Sequence, residues 1–162
     1  MNQITVTDRM STGELFDYLL KLVKKEEKSV TINLANPKMG IYDGLAIRDI
    51  LYTFKGSIDI TATVYIPINL NCLAVLSGLP VESRKISPSN LVIFVKEVWF
   101  TEGTATAARV THIEKMAVEE AVLNLISDGS SLSVSEIEEY VKDGKVMLAS
   151  EAVDRGLLGG IL

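Results

Sequence analysis

Segments typical of buried strands alternate with segments typical of helices along this chain. SVTINLA (29–35) is rich in β-branched residues and lies between two helical segments, and SIDITATVYI (57–66) repeats that arrangement. The first helix is marked by a capping box, in which Ser11 precedes Glu14 by three residues. This alternation predicts an α/β fold with a mainly parallel sheet and helical crossovers.

The predicted elements follow one another without a linker or an internal repeat. We predict strands at 4–8, 29–35, 57–66 and 91–100, and helices from Ser11, at 41–54, 69–78 and 103–129, from Ser133 to about Val141, and at 150–156. A chain of 162 residues with no boundary of composition is expected to form one domain.

Charge and composition argue against several classes of function. The net charge is −5 and the basic residues are scattered, so neither nucleic acid nor an anionic membrane is expected as a partner. The single cysteine, Cys72, excludes an internal disulfide. No apolar run approaches the length of a membrane span and the first ten residues do not resemble a signal peptide, so we expect a cytoplasmic protein. No metal-ligand spacing or phosphate loop is present, and no cofactor is expected.

The order of these elements and three short motifs resemble the proteolytic subunit family of the Clp protease, ClpP, within the wider ClpP/crotonase fold. GLAIRDIL (44–51) is similar to the helix after the family's glycine-rich loop, whose proline is matched by Pro37. GTAT (103–106) opens a long helix like the family's handle helix. MLASEAVDRGLLGGIL (147–162) resembles the family's ending, usually F-x-S-A-x-E-A-x-x-Y-G-L-I-D.

The resemblance implies a ClpP/crotonase-like α/β spiral of mainly parallel strands with helical crossovers and a protruding handle helix. It implies one domain over 1–162, with a head of roughly 1–95 and 145–162 and a handle of roughly 96–130. It also implies a homo-oligomeric ring, with heptameric layers, or a mixed ring with active subunits, and it makes a Clp ATPase a candidate partner. Because the family's N-terminal segment has no counterpart ahead of Ile4, we do not expect substrate gating of the usual kind.

Active members of the family use a Ser, His, Asp triad, in which histidine deprotonates the serine and aspartate fixes the imidazole tautomer. The resemblance places Asn69 at the nucleophile, Phe94 at the base and Tyr140 at the acid. An amide cannot attack as an alkoxide, a phenyl ring cannot take a proton, and a phenol replaces a buried carboxylate poorly. The resemblance therefore implies a catalytically inactive member, a pseudoenzyme with its triad replaced.

The resemblance also identifies Lys38, Met39 and Leu70 as the oxyanion-loop positions. Lys38 and Met39 stand where the family has two glycines after its proline. Side chains therefore occupy a place where glycine lets the backbone approach substrate, although a backbone donor can survive there.

Three functions follow as hypotheses. The leading one is a non-catalytic subunit with a structural or regulatory role in a Clp-type oligomer. An alternative is a crotonase-type acyl-CoA enzyme, in which backbone N–H groups form an oxyanion hole and Glu97 or Asp43 supplies the acid or base. A second alternative is an active serine peptidase with relocated residues, for example a Ser–Lys pair that uses Lys38 or Lys96.

The remaining reactive side chains are interpreted as structural. Cys72 lies one helical turn past Asn69, but a thiol nucleophile would need a base, and the single histidine, His112, lies inside the long predicted helix. We interpret Cys72 as a small packed residue and His112 as structural or solvent-facing. Phe94 is expected to fill the vacated site, and Trp99 to lie in the core or a subunit contact.

Overall fold

The centre of the molecule is a five-stranded sheet in which each neighbouring pair of strands is parallel. The computed structural model describes residues 2–7, 9–35, 39–95 and 104–162. Numbered in chain order, the strands of this sheet lie in the sequence β1 (Asn2–Val6), β2 (Ser29–Leu34), β3 (Asp59–Val64), β4 (Arg84–Ile86) and β7 (Gly160–Ile161). A separate two-stranded antiparallel sheet pairs β5 (Leu91–Ile93) with β6 (Val146–Leu148).

Helices connect these strands. They are α1 (Thr12–Lys24), α2 (Ile41–Phe54), α3 (Leu70–Leu76), α4 (Ala105–Asp128), α5 (Val134–Asp143) and α6 (Ala149–Asp154), with a 3₁₀ turn at Val81–Ser83. The first three each carry the chain from one strand to the next parallel strand, and right-handed crossovers of this kind place them on the same face of the sheet. Both predicted capping boxes are present, Ser11 with Glu14 and Ser133 with Glu136.

The core lies between the sheet and the first three helices. Ile32 and Ala62 are cross-strand partners, as are Leu34 and Val64 in the next row on the same face. All four are buried, and α1, α2 and α3 add a further set of buried side chains. That set includes Leu15, Leu19, Ile47, Leu51, Leu73 and Leu76. Burial of each large aliphatic side chain contributes about 1.5–3 kcal/mol to stability. The packing of this layer holds the strands in place, and the chain continues from their ends to the candidate site.

The predicted α/β architecture with a mainly parallel sheet is confirmed, and most element boundaries agree within two residues. Of the strand predicted at 91–100, the described residues form a strand over Leu91–Ile93, and that strand belongs to the antiparallel pair rather than to the main sheet. Residues 96–100 lie outside the described residues. β4 and β6 were not predicted from the sequence. A strand of three residues is too short to show the alternation of apolar and polar residues that marks longer strands.

Burial along the long helix α4 is confined to its C-terminal half. Its buried side chains are Val122 and Ile126, both near its C-terminal end. Val110, Ile113 and Met116 in its N-terminal half are 56–58% exposed. The division into a head (1–95 and 145–162) and a handle (96–130) stays a prediction. Across the described ranges, no helix combines the length and the apolar character that a membrane span requires.

Candidate functional site

Asn69 lies at the N-terminus of α3, where its side chain caps the helix. Its backbone is extended, and its Oδ1 accepts a hydrogen bond from the backbone N–H of Cys72 at 3.1 Å. Asparagine is among the best N-cap residues, and such a cap contributes about 1 kcal/mol. The predicted position of the nucleophile is therefore held by a side chain that stabilises the start of a helix.

A short stretch of backbone pairing brings the chain near Phe94 beside Asn69. Ile68 forms a parallel bridge with Val92, and the N–H of Ile93 donates to the Ile68 carbonyl at 2.8 Å. Asn69 follows Ile68, and Phe94 follows Ile93. The pairing thus places the predicted nucleophile and base positions at the same end of two adjacent segments.

Phe94 and Tyr140, the predicted base and acid positions, are in direct contact. Phe94 is 0% exposed, and its ring meets that of Tyr140 edge-on, with centroids 5.3 Å apart and planes at 69°. An aromatic pair in this geometry contributes about 0.5–1.5 kcal/mol beyond the burial of its area. The expectation that Phe94 fills the vacated site agrees with this packing, which joins the two positions without a proton-transfer group at position 94.

Charged side chains surround Tyr140. Nη2 of Arg155 donates a hydrogen bond to the Tyr140 hydroxyl at 2.9 Å, and Nζ of Lys145 lies 4.4 Å from the ring centroid. Lys145 is paired with Glu151 at 2.7 Å, and Arg155 lies 3.6 Å from Glu136. These contacts connect α5 to α6, so the Tyr140 side chain serves the packing of two helices.

The described oxyanion-loop positions are packed tightly against α3. Met39 is buried, and its carbonyl accepts a hydrogen bond from Nδ2 of Asn71 at 2.9 Å. Leu70 is the first residue of α3, where a backbone N–H has no earlier helical carbonyl to bind. Lys38 lies outside the described residues. The predicted role of these three positions is untested, but the Met39 side chain belongs to the core.

A mostly apolar cavity of about 320 Å³ opens beside these positions. Its lining joins residues next to the predicted triad with residues of α2, α4 and α5. They are Ile41, Leu70, Asn71, Val95, Glu119, Val122, Leu123, Glu138, Val141 and Lys142. The volume is at the lower end of the range for small-molecule sites. Space therefore remains beside a centre whose predicted reactive groups are absent.

Cys72 is packed in the core and His112 is solvent-facing, as expected from the sequence. Cys72 is 1% exposed, and burial raises the pKa of its thiol to about 11, with a smaller opposing effect from its hydrogen bond to Asn69. At neutral pH it is therefore a thiol and a poor nucleophile. His112 is exposed on α4, so it is not buried with Cys72.

Three serines that follow α3, Ser77, Ser87 and Ser89, are candidates for a relocated nucleophile, but each is engaged elsewhere or exposed. The Ser77 hydroxyl donates to the carbonyl of Ala74 at 2.6 Å at the C-terminus of α3. The hydroxyls of Ser87 and Ser89 lie 3.4 Å from each other on the surface. None of these contacts is a pairing with a base.

The remaining candidates give no catalytic constellation in the described part of the chain. Asp43 is exposed in the first turn of α2. Lys96, Glu97 and Trp99 lie outside the described residues. Over the ranges that the structure describes, no three His, Cys, Asp or Glu side chains are grouped so that they could hold a metal ion.

Comparison with known protein families matches the sequence of this chain to one of them. A family model described as Clp protease matches residues 3–162, which is nearly the whole chain. The chain belongs to the Clp protease family. Members of the Clp protease family form oligomeric rings and work with Clp ATPases.

Individual relatives are distant. The chain is 20% identical over 158 residues to the ATP-dependent Clp protease proteolytic subunit of Ligilactobacillus salivarius (strain UCC118), covering 97% of this chain and 79% of that protein. It is also 26% identical over 128 residues to a probable dual-specificity RNA methyltransferase RlmN of Exiguobacterium sibiricum, covering 73% of this chain but 35% of that protein. The first similarity agrees with the Clp protease family in extent and name, whereas the second covers too little of its relative to carry an argument.

Sequence reasoning missed the contacts that surround Tyr140. Arg155 aligns with the tyrosine of the family ending quoted above, while Tyr140 is the predicted position of the acid. The structure brings these two substituted positions into a hydrogen bond. A paired change of this kind was visible in the motif, but only the fold shows that the two positions meet.

Proposed function

We propose that the protein is a non-catalytic Clp protease family subunit with a structural or regulatory role in a Clp-type oligomer. The observation that carries the proposal is the edge-on contact between the buried ring of Phe94 and the partly buried ring of Tyr140, beside Asn69. A serine-type nucleophile needs a base within hydrogen-bond reach, about 2.6–3.2 Å, and a group that orients that base. Here these positions hold an amide that caps a helix and two packed rings.

The charges near Tyr140 support the same conclusion. A general acid or orienting carboxylate at this position would face Lys145, whose Nζ lies 4.4 Å from the present ring centroid. A lysine so close to a carboxylate would compete with any base for it. The surroundings of Tyr140 are thus adapted to an aromatic side chain, in agreement with a role in packing.

The exposed half of α4 supports a role in assembly. Val110, Ile113 and Met116 are more than half exposed, and they lie on a helix that carries few buried residues in its N-terminal part. Exposed apolar side chains grouped on one element are typical of protein contact surfaces. Because Clp protease family members form rings, we propose that a second Clp-type subunit covers this surface.

A fluorophosphonate probe and a fluorogenic peptide test the loss of catalysis. We expect no stoichiometric labelling of the protein and no peptidase rate above that of Asn69→Ala, which is the matched control because it removes the amide from the predicted site. Stoichiometric labelling of one serine would instead support the active-peptidase alternative. A rate that falls in Asn69→Ala would have the same meaning.

The native mass of the purified protein tests the assembly. Light scattering or native mass spectrometry is expected to give the mass of a heptameric ring, of two such rings, or of a mixed ring once an active Clp subunit is added. A trimer or hexamer would favour the crotonase-type alternative, and calorimetric titration with an acyl-CoA would then decide it. A protein that stays monomeric alone and with active Clp subunits would contradict the proposal.

A further inference from the structure

Arg84, the first residue of β4, is buried at the junction between the head and α4. It is only 4% exposed, although its side chain carries a charge. Its Nε and Nη2 donate to the Leu79 carbonyl at 3.1 and 2.7 Å, and its Nη1 donates to the carbonyls of Gly129 and Leu157 at 2.7 and 3.2 Å. One guanidinium thus binds three separate segments.

The three carbonyls share a physical property, because each lies just past the C-terminal end of a helix. Leu79 follows α3, Gly129 is the C-cap of α4, and Leu157 follows α6. The Gly129 carbonyl is one that α4 leaves without an intrahelical partner, at the negative end of its dipole, whereas Leu79 and Leu157 lie three residues past the last residues of α3 and α6. Within the described ranges no carboxylate forms a salt bridge with Arg84, so its guanidinium is satisfied by these three backbone carbonyls. Burial lowers the pKa of Arg84 to about 10, partly opposed by Glu82, and the group stays charged at neutral pH.

The position of this contact matters because α4 is a long lever. The helix has 24 residues and is therefore about 36 Å long. Its buried side chains, Val122 and Ile126, lie within two turns of Gly129. A tilt of about 5° at that end would move the other end by about 3 Å, which is enough to separate packed side chains.

One further contact restrains the exposed half of α4. Tyr42 on α2 donates a hydrogen bond to Glu114 at the middle of the helix. Tyr42 is half exposed, and a hydrogen bond at a solvated surface contributes less than the bonds of a buried charge. The effect of removing this bond on assembly can therefore be compared with the effect of disturbing the contacts of Arg84.

We propose that Arg84 is a positioning residue that sets the angle at which α4 leaves the head, and thereby controls whether Val110, Ile113 and Met116 can meet a second copy of this chain. The inference rests on the proposed function, in which α4 mediates assembly. It adds that assembly depends on a buried residue that lies far from the contact surface itself.

Gly129→Ala is the mildest test of the contact between Arg84 and the C-terminal end of α4. A Cβ at Gly129 would lie 3.1 Å from Nη2 and 3.4 Å from Nη1 of Arg84, and 3.3 Å from the Leu125 carbonyl, so the guanidinium or the end of α4 must shift. The φ of Gly129 is −97°, which alanine adopts without strain. Gly56→Ala is the matched control, since a Cβ there would meet nothing within 4 Å.

The measurement is the oligomer mass over a dilution series, together with hydrogen exchange of the full chain. We expect Gly56→Ala to behave as the wild type. Gly129→Ala should assemble about tenfold more weakly, a loss of about 1.4 kcal/mol, and Arg84→Met should be monomeric. Exchange should rise in α4 and stay unchanged in β2 and β3, whereas Tyr42→Phe should affect assembly less than Gly129→Ala.

The outcomes separate this inference from the proposed function. A wild type that never assembles would overturn both. If the wild type assembles and Gly129→Ala assembles equally well, the positioning role of Arg84 is contradicted, while the proposed function is not. If assembly is lost together with protection in β2, the protein is generally destabilised, and the positioning role of Arg84 is contradicted as well. If Arg84→Met does not fold, Gly129→Ala decides the question.

Discussion

Two buried regions of this molecule differ in the side chains at their centres, which are aromatic in one and charged in the other. Around Phe94, the predicted triad positions hold a helix cap and a pair of packed aromatic rings. Around Arg84, a charge is kept in the interior and satisfied by the ends of three helices. The difference teaches that a buried charge can be satisfied by backbone carbonyls alone, whose positions the fold fixes, whereas a catalytic constellation depends on several side chains at once.

Among substitutions in these two regions, Phe94→Ala is expected to cause the largest loss of stability. Removing a ring that is 0% exposed should lower the free energy of unfolding by about 3–5 kcal/mol, because a cavity remains beside Tyr140. Urea unfolding measures the loss. Tyr140→Phe is the control, since it keeps the ring contact and removes only the bond from Arg155, which is worth about 1 kcal/mol. Equal losses in the two variants would show that the ring pair is not what stabilises this region.

Arg84→Met is expected to have the next largest effect. It leaves the carbonyls of Leu79, Gly129 and Leu157 without their donor, and we expect a loss of about 3 kcal/mol in unfolding free energy. Arg84→Lys should recover only part of the loss, because one ammonium cannot reach three separate carbonyls. A fully stable Arg84→Met protein would show that the helix ends do not need the charge.

Asn69 allows a separate test of the region around Phe94, because its role as the N-cap of α3 does not depend on catalysis. Asn69→Ala should lower stability by about 1 kcal/mol through loss of the N-cap, while Asn69→Ser should be close to neutral. Thermal unfolding distinguishes them. The serine variant should also resist a fluorophosphonate probe, because Phe94 cannot take its proton. Labelling of that serine would mean that a base has been overlooked.

The smallest expected effect concerns the capping box at α5. Hydrogen bonds from the backbone N–H and then the hydroxyl of Ser133, with help from Arg155, hold the pKa of Glu136 below its ordinary value of 4.5. A lowered folded pKa contributes stability above the ordinary value, and this stability is lost as pH falls through the folded value. Ser133→Ala removes the hydroxyl but keeps the backbone N–H, so the pKa should move only part of the way toward 4.5, which an NMR titration of Glu136 measures. An unchanged titration would contradict the cap.

The parts of the fold that local pattern specifies were predictable from sequence. β2 and α2 are long enough to show their periods, and the capping boxes place the starts of α1 and α5 at the observed residues. The three-residue β4 and β6 are not predictable in this way, because their pairing partners rather than their own residues make them strands.

The candidate site was predictable only in part. The family resemblance identified Asn69, Phe94 and Tyr140, but the contact between Phe94 and Tyr140 joins residues far apart in sequence and appears only in the fold. Arg84 was missed because arginine is ordinarily a surface residue, and nothing in its neighbours shows that three helix ends converge on it.

The N-cap role of Asn69 has an evolutionary consequence. Serine and asparagine cap a helix about equally well, so this position can change between a nucleophile and an amide with little selection against either on grounds of stability. Phe94 and Tyr140 differ, because once two rings have packed against each other, restoring either polar residue alone leaves a cavity or an unsatisfied group. In the proposed silent subunit, the packing at the predicted base and acid positions would therefore block a gain of activity, while the predicted nucleophile position can change to serine at little cost in stability.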